Sequence, residues 1–266
     1  MVLIEELLTI PDECKINDII AKDVIFSEGG LKSSDKKIFT NYVKQIRWLY
    51  SLNKENIGID SYKDEVKDYP EVEIINIVLK EDKKLNRIVD IVMRVIPYPM
   101  VLVFEFRGKI QLFTSHQSES LVDSSKITLD EIISTDWILF DDMDEIDKNL
   151  FENLKLNNLD YSNFYKFYDS IIQNIIKYNG SKSVGHEVNL SVGEIKRIND
   201  EIGSLESEIK TKKAAIKKET QFNRKVEEQG LEFVEIGKLI CDNKLKEARD
   251  KVIEVGVHVK GVPWPE

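Results

Sequence analysis

Two nearly uninterrupted apolar segments, separated by one amphipathic segment, constrain the fold of this chain more than any other feature. Residues 72–79 and 100–106 are short, rich in β-branched or aromatic side chains, and bounded by proline or charged residues, which favours buried strands. Between them, the apolar positions of residues 85–96 repeat at helical spacing, and Pro97 ends the helix. This order predicts two strands of one sheet joined by a crossover helix.

Neighbouring segments extend this arrangement. The alternating residues 110–114 follow Gly108, which predicts a hairpin with the preceding strand. Residues 34–52 place apolar side chains three and four positions apart and are interpreted as one amphipathic helix, while residues 16–20 are interpreted as a short helix. An aromatic-rich helix is predicted over residues 161–178, ending at 179–181. The fold class is therefore α+β, with a mixed α/β sheet domain over residues 1–185.

A second region, residues 186–266, is predicted to be helical with a short non-helical tail. Its composition changes to Glu, Lys, Ile and Leu, and a heptad pattern lasts about three repeats before it breaks at Lys212. Such a helical region either folds back on itself or pairs with another chain. If it pairs, a coiled coil within residues 188–239 would recruit a protein partner or a second copy of the chain. The apolar positions expected to stabilise that pairing are Ile195, Ile198, Ile202, Leu205 and Ile209.

Charge limits the nucleic-acid interpretation to one segment. The net charge of -10 argues against a globally basic binder. Between residues 209 and 225, however, Glu219 is the single acid among seven bases, and such a face would attract a phosphate backbone. A solvated coiled-coil exterior has the same composition. The candidate nucleic-acid contacts are Lys210, Lys212, Lys213, Lys217, Lys218, Arg224 and Lys225.

The sequence contains only weak catalytic patterns. They favour a non-catalytic protein without deciding whether the chain is an enzyme. Asp90 followed by Glu105 and Arg107 is a degenerate version of a metal-dependent nuclease pattern, which needs several carboxylates for magnesium and a lysine to activate water. Arginine stays protonated and substitutes poorly for that lysine. Glu73 with Lys80 has the wrong spacing for such a site.

Other ligand-binding patterns are also unsupported. The three histidines, His116, His186 and His258, are widely separated and lack a second metal-type ligand at suitable spacing. Cys14 and Cys241 are interpreted as free thiols. No glycine-rich phosphate loop occurs in the sequence. From these three observations together, we expect neither a metal nor a cofactor. No apolar run approaches the roughly 18 residues of a membrane span, and we expect a cytoplasmic protein.

Four segments together make the chain resemble the bacterial family called domain of unknown function 4391. In order, they are residues 48–52, residues 72–80, residues 96–104 with their Ile-Pro-Tyr-Pro start, and residues 219–227. The resemblance implies a companion of DNA methyltransferase and helicase genes in restriction or phage-defence clusters. It leads us to expect an interaction subunit of such an assembly that docks through its coil. A DNA-binding accessory protein and a degenerate nuclease are the alternatives.

Overall fold

A mixed sheet forms the centre of the first of the two units into which the chain divides, with the boundary between Asn179 and Gly180. A computed structural model of the chain describes residues 4–119, 127–187 and 190–218. The strands are β1 (Lys15–Ile19), β2 (Val43–Leu52), β3 (Tyr62–Lys63), β4 (Asp68–Tyr69), β5 (Val72–Leu79), β6 (Met100–Phe106), β7 (Lys109–Thr114), β8 (Gln117–Glu119), β9 (Ile127–Leu129), β10 (Ile133–Ser134) and β11 (Ile138–Leu139). The helices are α1 (Ile4–Leu7), α2 (Lys22–Glu28), α3 (Ser33–Tyr42), α4 (Lys54–Ile57), α5 (Leu85–Val95), α6 (Glu145–Asn153), α7 (Phe164–Val184) and α8 (Val192–Lys218).

The central sheet confirms the predicted crossover. Its strand order is β1-β2-β5-β6-β7-β10, and β11 pairs with β7 as well. β5 and β6 are parallel neighbours joined through α5, whereas the other neighbouring pairs are antiparallel. Because a parallel pair cannot be joined by a tight turn, α5 supplies the connection that the sequence pattern indicates.

The predicted hairpin is also confirmed, and its turn explains the glycine. β6 and β7 pair up to Phe106 opposite Lys109, which leaves a two-residue turn. Arg107 has φ of 50° and Gly108 has φ of 76°, both in the left-handed region. Two consecutive residues with positive φ are typical of the type I′ turn, which matches the twist of the strands that it joins.

The single helix predicted over residues 34–52 is wrong in its second half. The helix α3 ends at Tyr42, and Val43 starts β2, the long strand between β1 and β5. The pairing of β2 with β5 shifts register twice, between Val43 and Gln45 and between Trp48 and Tyr50. Each bulge offsets the alternation by one residue, so buried strand side chains fall three and four positions apart, as in a helix.

The short helix predicted over residues 16–20 is wrong for a different reason. This segment lies in β1, the edge strand that pairs with β2. All five side chains of β1 are exposed. Without one buried face, the strand shows no alternation of apolar and polar residues, and its sequence cannot be distinguished from a helix by pattern.

Both faces of the sheet are covered by helices. On one face, the core joins Ile77 and Phe104 of the strands to Phe39 of α3 and Val92 of α5, all with no exposed surface. On the other face, α7 brings Phe167 close to residues of β5, β6 and β7. Strands buried on both faces have no polar side to alternate with, which explains the continuous apolar runs.

The two long helices differ from the predicted bounds. α7 passes through Asn179 and ends at Val184, and Gly185 follows it with φ of 78°. α8 begins after Ser191, whose hydroxyl accepts from the Glu194 amide while the Glu194 carboxylate accepts from the Ser191 amide. This capping box fixes the start of α8. The predicted coil beyond residue 218 and the non-helical tail lie outside the described residues.

Across the part of the chain that the structure describes, none of the helices is both long enough and apolar enough to cross a membrane.

Candidate functional site

One apolar stripe runs along α8, a helix of 27 residues. Five of its apolar heptad side chains, Ile198, Ile202, Leu205, Ile209 and Ile216, are partly exposed, whereas the described side chains on its opposite face are exposed. We call the first four of these residues the α8 seam: Ile198, Ile202, Leu205 and Ile209. Ile195 precedes them and is 3% exposed, and a Cβ added to Gly180 would lie 3.4 Å from its side chain. Along the apolar stripe, the side chains therefore change from buried at Ile195 to partly exposed at Ile198, where the seam begins.

An apolar stripe with an opposite polar face is the arrangement of a helix that docks against another element. The seam residues follow the a and d spacing of a coiled coil, with Ile202 and Ile209 at a and Ile198 and Leu205 at d. Partial exposure of four large aliphatic side chains in one line leaves apolar area for a partner to cover. The structure thus brings the predicted interaction residues onto one helix face.

Five of the seven predicted basic residues lie at the C-terminal end of the same helix. Lys210 and Lys213 are exposed, and Lys212 is partly exposed. The side chains of Lys217 and Lys218, and all of Arg224 and Lys225, lie outside what the structure describes. Nucleic-acid contact therefore stays a prediction that rests on three placed lysines.

The two carboxylates of the nuclease pattern lie on different elements. Asp90 is on α5, where it accepts hydrogen bonds from Arg87 Nη1 at 2.9 Å and from Arg94 Nε at 2.7 Å. Arg87 also binds Asp35 of α3 through two hydrogen bonds of 3.0 and 2.8 Å. Glu105 is on β6 and is partly buried. This network ties α3 to α5, and it gives Asp90 a structural role.

A histidine relay, which the sequence did not reveal, connects three elements of the first unit. His116, directly before β8, lies between Tyr69 of β4 and Asp169 of α7. Its Nδ1 is 2.7 Å from the Tyr69 hydroxyl, and its Nε2 is 3.2 Å from Asp169 Oδ1. Gln173 donates to the other Asp169 oxygen at 2.6 Å. These four residues form one continuous chain of hydrogen bonds.

The surroundings of the relay assign its protons. The Asp169 carboxylate can only accept a hydrogen bond, so Nε2 carries the imidazole proton and donates it to Asp169. Nδ1 of the neutral ring then accepts from the Tyr69 hydroxyl, which lies 2.7 Å away, whereas the other acceptor near that hydroxyl, the Gln117 carbonyl, is at 3.4 Å. Burial lowers the pKa of His116, although Asp169 acts in the opposite direction. The neutral imidazole is therefore the form that fits this site.

Aromatic rings close the relay on one side. The Tyr165 ring stacks on His116 and on Tyr62, with centroid distances of 5.1 Å in both cases, and Lys67 Nζ lies 4.7 Å from the Tyr165 centroid. Tyr69 has no exposed surface. Because the phenol oxygen is inaccessible, this Tyr-His-Asp arrangement is unsuited to nucleophilic catalysis, and it can instead hold β4 against α7.

A second polar centre surrounds the buried carboxyl group of Glu73, which is 1% exposed on β5. Trp48 Nε1 donates to Glu73 Oε2 at 2.5 Å, and Ser51, opposite Glu73 on β2, donates to Glu71 at 3.3 Å. The other oxygen, Oε1, is buried without a hydrogen-bond partner among the described residues. Burial raises the pKa of Glu73 to about 8, since the Trp48 hydrogen bond offsets burial only in part.

Three of the segments on which the family resemblance depends meet at Glu73. Trp48 comes from the first segment and Glu73 lies in the second. The Glu73 amide donates to the Pro99 carbonyl of the third segment at 2.9 Å. A glutamate inside an otherwise apolar strand is the sequence signal that could have found this centre. His116 gives no such signal, because its partners are 47 and 53 residues away.

The described residues enclose a cavity of about 30 Å³ between the sheet and α7, lined by apolar side chains that include Ile74, Val101 and Phe167. Neither Glu73 nor His116 lines this cavity. Ligand pockets usually measure roughly 300–1,000 Å³ and present a few polar groups. Among the described residues, no group of three or more His, Cys, Asp or Glu side chains is placed to hold a metal ion.

The fold and these centres define a mixed-sheet α/β protein with helices on both faces and with polar groups that hydrogen-bond mainly to one another. The chain belongs to the family described as Domain of unknown function (DUF4391), whose model matches residues 8–230. The match spans all of the sheet and α8. Searches of curated proteins and of solved structures find no significant match.

Proposed function

We propose that this chain is a cytoplasmic, non-catalytic interaction subunit of a bacterial DNA-modification or phage-defence assembly, and that it docks through a coiled coil at α8. The observation that supports the proposal is the α8 seam, whose four aliphatic side chains are partly exposed in one line. Covering such a stripe with a partner helix would contribute about 25 cal/mol for each Å² of apolar surface removed from water. The sheet unit would serve as the folded platform of the subunit.

The non-catalytic part of the proposal is supported by the two polar centres. Glu73 is buried, and the Tyr69 hydroxyl is enclosed by His116 and Gln117, so neither group can reach a substrate. Asp90 is occupied by two arginines. The association with DNA methyltransferases and helicases is implied by the family resemblance, and it makes those enzymes the partners to test first.

A pair of double variants tests the docking site. Ile202→Asp with Leu205→Asp places two charges in the seam, whereas Ser204→Asp with Ser207→Asp adds the same charges at exposed positions on the opposite face. Each tagged full-length protein is expressed in the native host and purified with its bound proteins, which are identified by mass spectrometry. We expect wild type and the outward control to retain a methyltransferase or helicase that the seam variant loses. Equal recovery with all three proteins would show that the seam is not the docking site.

DNA binding is the second candidate, and the exposed Lys210 and Lys213 favour it. Neutralising Lys210, Lys212 and Lys213 with glutamine should weaken binding to duplex DNA and flatten its salt dependence, because fewer counterions are released. The measurement is fluorescence anisotropy of the full chain at several salt concentrations. Unchanged affinity and slope would remove the basic face from consideration.

A further inference from the structure

The residues beside the α8 seam carry a charge pattern that restricts what can cover it. In a coiled coil, the e and g positions lie on either side of the a and d positions and meet the flanks of the partner helix. With Ile202 at a and Leu205 at d, the flanks of this part of α8 are Glu201 and Glu208 at g and Glu206 at e. All three glutamates are exposed. The seam is therefore bordered by negative charge on both sides.

The bases of the same stretch do not offset this charge. Arg197 is exposed and falls at c, a position that points away from a pairing interface. The next base along the flanks is Lys213, at the e position that follows. Between Ile198 and Ile209, all the charged residues at e and g positions are acidic.

A second copy of the chain gains no net attraction from these flanks in either orientation. In a parallel pair, each g residue meets the e residue five positions later in the other helix, so Glu201 lies opposite Glu206 and Glu208 lies opposite Lys213, which gives one repulsive and one attractive pair. In an antiparallel pair centred on the seam, with Ile202 opposite Leu205, g meets g and Glu201 lies opposite Glu208. Like charges at these positions disfavour a pairing, so a helix with basic flanks fits the three glutamates better than a second copy does.

We infer that the partner is an amphipathic helix of another protein whose own apolar stripe is flanked by lysine or arginine. This inference rests on the proposed docking function of α8, to which it adds the chemistry of the partner. Basic flanks would turn each repulsive pair into an attractive one, while the apolar stripes supply most of the affinity. The glutamates thereby select a heterotypic partner against self-association.

Two synthetic helical peptides of four heptads test the inference. Both have Ile at a and Leu at d; one has Lys at every e and g position and the other has Glu. Like-charged flanks keep each peptide from pairing with itself. Binding of each labelled peptide to the full-length chain is measured by fluorescence anisotropy at low and high salt. We expect the Lys peptide to bind at least about tenfold more tightly than the Glu peptide, with a difference that shrinks as salt rises.

A charge-reversal variant provides the control against non-specific attraction. Glu201→Lys, Glu206→Lys and Glu208→Lys together should invert the preference, so that the Glu peptide binds better. Asp200, Ser204, Ser207, Thr211 and Ala214 are exposed on the opposite face, and their joint replacement by Lys produces the same change in net charge. That control should keep the wild-type preference. An inverted preference is a gain of binding, which misfolding cannot produce.

The outcomes separate this inference from the proposed function. The inference that the partner has basic flanks would be overturned by equal binding of the two peptides, by tighter binding of the Glu peptide, or by no binding of either. If the seam variant still loses its host partner in that case, docking through α8 stands and only the partner's chemistry is wrong. Light scattering of the wild-type chain adds a further criterion. A dimer that persists in the charge-reversal variant and dissociates in the Ile202→Asp, Leu205→Asp variant would identify a second copy as the occupant and overturn the inference.

Discussion

The central sheet and α8 use the same kind of side chain in opposite ways. Ile75 and Ile77 of β5 have at most 1% of their surface exposed, whereas Ile202 and Ile209 of α8 remain partly exposed. The sheet is covered on both faces by helices of its own unit. The α8 helix keeps a regular apolar stripe that its own residues do not bury. Under the proposed function, the sheet provides stability and α8 provides the surface that a partner covers.

The largest expected difference comes from the same substitution made in each region. Ile77→Ala should lower the free energy of unfolding by about 2–5 kcal/mol, because it leaves a cavity between the sheet and α5. Ile202→Ala should cost less than about 1 kcal/mol, since the side chain is already hydrated in part and alanine favours a helix. Urea unfolding followed by circular dichroism measures both values. Similar costs at the two positions would break the comparison.

A smaller effect is expected from the buried carboxyl group of the sheet. Between pH 4.5 and about 8, folded Glu73 keeps a proton that it loses on unfolding, so the native state becomes less stable as the pH rises. Glu73→Gln removes this titration. As the pH rises from 5 to 8, the free energy of unfolding of wild type should fall by about 2–4 kcal/mol relative to that of Glu73→Gln. Glu65→Gln, at an exposed position, is the control, and parallel pH profiles for wild type and Glu73→Gln would contradict the prediction.

The hydroxyl of Tyr168 offers an intermediate test of how tightly α7 is held to the sheet. This fully buried hydroxyl donates to the Met100 carbonyl at 2.6 Å and accepts from the Ser115 amide at 3.2 Å. Tyr168→Phe should cost about 1–3 kcal/mol, because a buried backbone amide loses its partner. Tyr161→Phe, where the ring is 44% exposed, should be nearly neutral in the same denaturation experiment.

The smallest expected effect concerns the histidine relay. Because burial depresses the pKa of His116 in the folded state, the unfolded chain binds a proton more readily as the pH falls below about 6.5. The contribution of His116 to stability is therefore present above that pH and is lost as the pH falls toward the folded-state pKa. Between pH 7 and pH 5, the free energy of unfolding of His116→Gln should depend less on pH than that of wild type. His186→Gln, at an exposed position, should follow the wild-type profile. An unchanged pH dependence in His116→Gln would show that the relay does not exclude the proton.

Sequence patterns predicted the elements whose environment is uniform along their length. β5, α5 and the β6–β7 hairpin were all found, because buried strands and an amphipathic helix each keep one period. β2 was missed, since two bulges give its buried residues a helical spacing. β1 was missed as well, since it has no buried face. In both cases the deciding information is the pairing partner, which a local pattern does not contain.

The candidate sites follow the same division. The residues of the α8 seam lie three and four positions apart, so the sequence was sufficient to place them on one helix face, while their role in docking stays a prediction. The relay of Tyr69, His116 and Asp169 depends on contacts across the fold, and no local spacing records them. Glu73 lies between these cases: its position in an apolar strand is visible, while the tryptophan that binds it is supplied by the neighbouring strand.

The two-residue turn at Arg107 and Gly108 also has a consequence for the order in which the sheet assembles. Closing a short loop costs little entropy and takes microseconds, so the β6–β7 hairpin can form before strands that are distant in sequence meet. Pairing β2 with β5 requires closure of the longer connection of residues 53–71, and the edge strand β1 has to await β2. We therefore expect the sheet to grow outward from this turn, and a residue that resists positive φ at position 108 should slow folding more than it accelerates unfolding.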